Sequence, residues 1–206
     1  MFEKKCKIIF IRHGSTIYTE QNRLYDAEDY PPINEKGKEE TVKLAEWLKA
    51  KSSNFDAIYS SNAIRSIQSA RILAKQLKQD FEIIDGLYER KPGKWGGLTF
   101  EQIEAKHPDM LEEYHKNPCT FWPEGGETLM EVKKRVGKIV DEIVEKNISK
   151  KILIVTHSGV IQSAISHALD IPPVHQSKIH IPNGSASQIN YYQEWASLVY
   201  SGYVPL

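Results

Sequence analysis

The chain lacks much of what several protein classes require. Its two cysteines, Cys6 and Cys119, are too few for a disulfide framework or a thiolate metal cluster, and they read as reduced thiols. Basic and acidic residues balance at 27 each, so the cationic surplus of a nucleic-acid binder is missing. No apolar run approaches the ~18 residues of a membrane helix. The run Ile8–Ile11 is cut short by Arg12-His13, which is not the form of a signal peptide, and a cytoplasmic protein is expected. Arginine is scarce, with six against 21 lysines. Aromatic residues make up 10% and hydrophobic residues 40% of the 206 positions, enough for a buried core and too many for a disordered chain.

The apolar residues fall into a strand–helix alternation. Lys7–Ile11 and Ile152–Val155 are continuous β-branched runs, the pattern of strands covered on both faces. Ala57–Ser60 and Glu82–Ile84 are weaker strands, and Ser187–Tyr192 with Leu198–Tyr203 reads as a closing antiparallel pair. Helical spacing runs over Glu35–Lys51, with Asn34 as N-cap, and over Ala63–Lys78, Thr128–Asn147 and Gly159–Asp170. Shorter helices are expected over Thr99–His107 and Asp109–Lys116. The alternation predicts an α/β fold, a three-layer α/β/α sandwich around a mainly parallel sheet. One domain over 1–206 is expected, with 99–126 as a small helical cap.

Chemistry concentrates at strand ends, where open parallel sheets bind ligands. His13 and His157 each follow an apolar strand and precede a glycine-containing turn. Arg12 adjoins His13, and Arg65 follows the strand end Tyr59-Ser60-Ser61. Two of the six arginines thus sit beside strand ends, and arginine suits forked recognition of a tetrahedral oxyanion. Ser158 adds a donor at a helix start. Glu89, in the glycine- and aromatic-rich loop Leu87–Gly97, is the candidate acid. Glu127 is a second, or else a charge complementing a helix N-terminus.

Arg12-His13-Gly14-Ser15-Thr16 resembles the signature of the histidine phosphatase superfamily, which includes the cofactor-dependent phosphoglycerate mutases. The segments 60–70, 87–97, 123–128 and 155–159 are similar to the family's later motifs, in order. The resemblance implies a phosphoglycerate mutase-like fold. It implies His13 as a nucleophile forming a phosphohistidine, with one ring nitrogen tied to a backbone carbonyl. Arg12, Arg65 and His157 would hold phosphoryl oxygens, and Glu89 would pass the proton, with no metal or other cofactor. Thr19 stands where many members carry a phosphate-binding asparagine; it is itself a phosphate-binding candidate, able to donate a hydrogen bond with a shorter reach, and Asn22 and Arg23 are the alternatives for that role. Arg23, Trp95 and His180 are candidate substrate contacts. Tyr18, Tyr25, Trp95, Phe121 and Trp122 are either stacking partners for an organic leaving group or loop packing. The remaining histidines fit no metal spacing, and Lys133-Lys134-Arg135 reads as a solvated helix face.

The stretch from Glu89 to His157 lacks the longer insertion of the mutases, which favours a phosphatase acting on a small-molecule phosphomonoester. A mutase primed by 2,3-bisphosphoglycerate, an α-ribazole phosphatase and a phospho-ligand binding module are the alternatives. Neither nucleic acid nor membrane is an expected partner, and a homodimer is left open.

Overall fold

A computed structural model describes residues 4–25, 30–51 and 54–205. Six strands form one sheet in the order β3-β2-β4-β1-β5-β6. They are β1 (Lys4–Arg12), β2 (Ala57–Ser60), β3 (Glu82–Ile83), β4 (Lys150–Thr156), β5 (Ala186–Tyr192) and β6 (Ala196–Tyr203). β3, β2, β4 and β1 run parallel, β5 is antiparallel to β1, and β6 is antiparallel to β5. The mainly parallel sheet and the closing antiparallel pair are as the sequence predicts.

Strand alternation builds a core on each face. Ile8, Phe10, Ile152 and Ile154 face α6 (Leu129–Lys146) and α7 (Ser158–Ala168). Ile9, Ile11, Leu153 and Val155 face the other way, toward α2 (Glu35–Lys51) and α3 (Ile64–Leu77). Helices on both faces make the three layers. Asn34 caps α2 by accepting from the Gly37 N–H at 2.9 Å. A third, smaller apolar cluster gathers Trp95, Ile103 and Leu111. It lies under α4 (Phe100–Lys106) and α5 (Pro108–Lys116). Two short helices were not foreseen, α1 (Ile17–Glu20) and α8 (Pro173–Gln176). Among the described residues, no helix is long and apolar enough to cross a membrane.

β1 and β4 are neighbours, with Arg12 opposite Thr156. This register brings the turns after both strands to one sheet edge. β2 pairs with the far side of β4, with Ser60 opposite Val155, so the start of α3 reaches the same place.

Candidate active site

His13 and His157 meet at that edge, their ring centroids 5.1 Å apart, and neither ring has any exposed surface. His13 Nδ1 lies 2.8 Å from the Gly14 carbonyl oxygen, which can only accept. Nδ1 therefore carries the proton and Nε2 has a free lone pair. Arg65 Nε donates to that lone pair at 3.3 Å, and Arg65 NH2 donates to His157 Nδ1 at 3.1 Å. The second contact leaves the His157 proton on Nε2, which donates to Ser61 Oγ at 2.9 Å. Burial holds both imidazoles well below their ordinary pKa, and the Arg65 and Arg12 guanidiniums push the same way. Both rings are thus neutral, each in a defined tautomer.

Arg65 is 3% exposed. Its guanidinium lies 3.5 Å from the centroid of Tyr25, whose hydroxyl is 2.8 Å from Thr16 Oγ1. The Tyr25 ring also stands edge-on to His13 at 5.7 Å between centroids. Burial raises the pKa of the Tyr25 phenol, so it stays neutral. Arg12 donates through NH1 to the Ile181 carbonyl at 2.7 Å, while its buried Nε has no partner.

Helix α2 holds the turn after β1. Glu40 accepts from the Ser15 N–H and from Ser15 Oγ, each at 2.8 Å. Gly14 donates its N–H to Ser69 Oγ on α3 at 3.1 Å. A Cβ on Gly37 would strike the backbone of Gly14 and Ser15, so helix and turn touch main chain to main chain.

The Glu89 carboxylate meets the start of α7. Its Oε2 accepts from Ser158 Oγ at 3.2 Å and from the Gly159 N–H at 3.3 Å, while Oε1 accepts from the Arg90 N–H at 2.9 Å. Glu89, Arg90 and Tyr25 line two cavities. One, of about 330 Å³, also touches Arg12, Arg23, Thr19 and Ser158, with Phe100, Tyr114 and Trp122 in its wall. The other, of about 410 Å³, touches Arg65, Asn62, Tyr30 and Lys91.

Five candidate residues, Arg12, His13, Arg65, Glu89 and His157, come together with Ser158 beside them. Others do not take the expected places. Thr19 lines the first cavity, but its hydroxyl donates to the Thr16 carbonyl at 2.9 Å and accepts from the Thr16 N–H at 2.9 Å. It caps α1 and has no hydrogen left for a ligand. Arg23 also lines that cavity, with its nitrogens directed at the Gly97 carbonyl, the Tyr18 hydroxyl and Gln21. Trp95 is not a substrate contact, because it is sealed in the cluster under α4 and α5. His180 is exposed and lies outside both cavities; the neighbouring Ile181 carbonyl is what meets Arg12. Glu127 is not the acid, because it is held by two Arg135 nitrogens at 2.8 Å. Arg135 is correspondingly no solvated charge. It turns inward, 3.9 Å from the Tyr88 ring centroid, and clamps the loop bearing Glu89 through the Gly86 and Tyr88 carbonyls.

Ser61, Ser69 and Glu40 were not singled out from sequence. Ser61 does fall at the strand end already marked, but nothing local reports that its hydroxyl meets His157. Among the described residues, no group of three His, Cys, Asp or Glu side chains is placed to hold a metal ion. Cys6 is buried and its thiol is pushed up to about 11, which makes it inert.

The model of the histidine phosphatase superfamily (branch 1) matches residues 8–202. A bifunctional protein of Mycobacterium tuberculosis is 29% identical over 193 residues, covering 94% of this chain and 52% of that protein. The chain thus spans about half the length of the first curated relatives it matches. A metal-independent phosphoserine phosphatase of Arabidopsis thaliana is 28% identical over 160 residues, 76% of this chain and 66% of that protein. The solved structure of Bacillus stearothermophilus YhfR superposes with a TM-score of 0.86 at 26% identity, covering 97% of this chain and 98% of that one.

Proposed function

The chain belongs to the histidine phosphatase superfamily, branch 1, and from that premise we propose that it is a metal-independent phosphomonoesterase working through a phosphohistidine. The observation that carries the proposal is the state of His13. A neutral ring with Nδ1 tied to the Gly14 carbonyl presents the Nε2 lone pair beside two guanidiniums. The relative named as a metal-independent phosphoserine phosphatase supports the absence of a metal requirement.

His13 Nε2 attacks phosphorus, and the bond to the ester oxygen breaks. Glu89 gives that oxygen its proton and the alcohol leaves. Water then attacks the phosphohistidine, Glu89 takes the water proton, the N–P bond breaks, and the lone pair returns to Nε2. The Arg65 donors that rest on the two histidines pass to the phosphoryl oxygens, and Arg12 joins them. An oxyanion beside His157 favours its imidazolium, turning Nδ1 from acceptor to donor. With His13 sealed behind Arg65 and Tyr25, these two side chains must yield as the phosphoryl group enters. The fully buried nucleophile makes that movement part of the binding step.

The test is phosphate release by chelator-treated protein from a panel of phosphomonoesters, including 3-phosphoglycerate with its bisphosphate primer. Release is expected without metal, and His13→Ala should abolish it. Glu89→Gln should slow alkyl esters by roughly 10²–10⁴-fold and p-nitrophenyl phosphate far less, since that leaving group needs no proton. Equal slowing of both would remove Glu89 from the proton-transfer role. Isomerisation of the glycerate with little release would make the protein a mutase.

A further inference from the structure

We propose that the cavity under the helical cap is a leaving-group subsite that selects phosphomonoesters of alcohols bearing an aryl or similarly bulky apolar group. This rests on the phosphatase reading above and narrows its substrate. The cavity, of about 330 Å³, lies at the small end of the range for small-molecule sites. The groups assigned to the phosphoryl end, Arg12, Glu89 and Ser158, stand together at one part of its lining. The rest of the lining includes Leu24, Phe100, Tyr114, Trp122, Leu129 and Val132, with the uncharged polar Asn22, Gln162, Gln176 and Ser177 among them. A phosphoryl group seated against Arg12 and Glu89 sends its alcohol along that wall.

The charges in the cavity are largely engaged by the protein. Arg23 donates to Gly97, Tyr18 and Gln21. Arg90 lies flat on Trp122 at 3.3 Å from the ring centroid, and its Nε donates to the Glu127 carbonyl at 2.7 Å. The Arg90 NH2 makes no hydrogen bond, but it is buried. Carboxylate-bearing esters are therefore the competing class, and the experiment includes them. Phe100, the first residue of α4, keeps 46% of its surface exposed. An aryl group lying on it would cover that surface. The second cavity touches Glu89 and Arg65 but not Arg12 or Ser158, and its lining includes Asn62 and Lys91. The Glu89 oxygen that meets Ser158 and Gly159 belongs to the first cavity's side.

The experiment compares kcat/KM for 2-phenylethyl phosphate and propyl phosphate, whose alcohols are of similar acidity, so that chemistry is matched and the apolar contact differs. Phosphoserine and 3-phosphoglycerate run beside them. The phenylethyl ester is expected to win by about tenfold or more, mainly through KM. Phe100→Ala, and Phe100→Leu as a milder change, should lower that ratio severalfold, whereas Tyr30→Ala, in the second cavity, should not. A ratio near one overturns the subsite and leaves the phosphatase reading standing. So does a ratio that responds to Tyr30 instead of Phe100. A preference for the two carboxylate esters overturns it in favour of Arg90 as an anion receptor. No release from any ester overturns the phosphatase reading itself.

Discussion

His13 is fixed at both nitrogens, by the Gly14 carbonyl on one side and the Arg65 guanidinium on the other. The neutral ring suits a nucleophile, and it has a cost that stability measurements can read. Burial and the two arginines disfavour the imidazolium of His13 and of His157 in the fold. Once pH falls below the ordinary imidazole value of about 6.5, the unfolded chain binds protons that the folded chain does not. Their contribution is complete above that pH and is lost as pH drops beneath it, by about 1.4 kcal/mol per pH unit for each ring. Denaturant melts of wild type and His13→Gln between pH 7.5 and 5.5 isolate one ring, because carboxylates act alike in both proteins. Over that window the variant should lose about 1.4 kcal/mol less than wild type, and parallel curves would mean that His13 charges as easily folded as unfolded. Residue identity also explains two sequence readings that missed. Thr19 and Trp95 are types that bind ligands well, but a mutual Thr16–Thr19 cap consumes the one hydroxyl and the cap's core encloses the other ring.

At the scale of elements, most of the strands and long helices were legible because their apolar periods are regular. The strand ends carrying Arg12, His13 and His157 were legible for the same reason, since a strand that stops at a polar residue and a glycine is a local pattern. Contacts made across elements were not. Glu40 sits on the polar flank of α2, and only the packing of that helix shows that it holds Ser15. Arg135 sits in a basic triplet in which Lys134 is exposed and Lys133 donates to the Ile171 carbonyl, and only the pairing with Glu127 turns Arg135 inward. The α2 contact makes a prediction of its own. Because a Cβ on Gly37 meets backbone and not a flexible side chain, Gly37→Ala must push α2 away from the turn that aims His13. A loss of roughly 1–3 kcal/mol in stability is expected, with a fall of roughly 10- to 100-fold in kcat/KM. Lys38→Ala, next along the same helix and exposed, breaks only a surface pair with Glu35 and should change either quantity little. Wild-type turnover in Gly37→Ala would show that the turn keeps its aim without the helix.

At the scale of the molecule, the two large cores share one sheet. Phe10 and Ile154 serve one face while Ile11 and Val155, their neighbours in the chain, serve the other, so neither core can open alone. The α4–α5 segment, expected from the sequence to be a cap, is built differently. Trp95, Ile103 and Leu111 form their own cluster, with Trp122 and Tyr114 packed against it. The active site adjoins this cluster through Arg90, whose guanidinium lies on Trp122, and Trp122 packs edge-on against Tyr114 in the same cavity wall. A small satellite core is a region expected to open below the free energy of global unfolding. Ile103→Ala removes a fully buried side chain from it, a change that costs about 2–5 kcal/mol where it acts. Hydrogen exchange read residue by residue should show that cost locally. The amides of Ile103, His107 and Leu111, bonded within the cap, should lose protection, while Phe10 and Ile154 keep theirs. The aryl preference should fall with this segment, because Phe100 and Tyr114 of the cavity wall are carried on α4 and α5, and His13-dependent release from propyl phosphate should fall less. If sheet and cap amides lose protection together, the cap is not a separate unit, and the small cluster is only an extension of the cores beneath it.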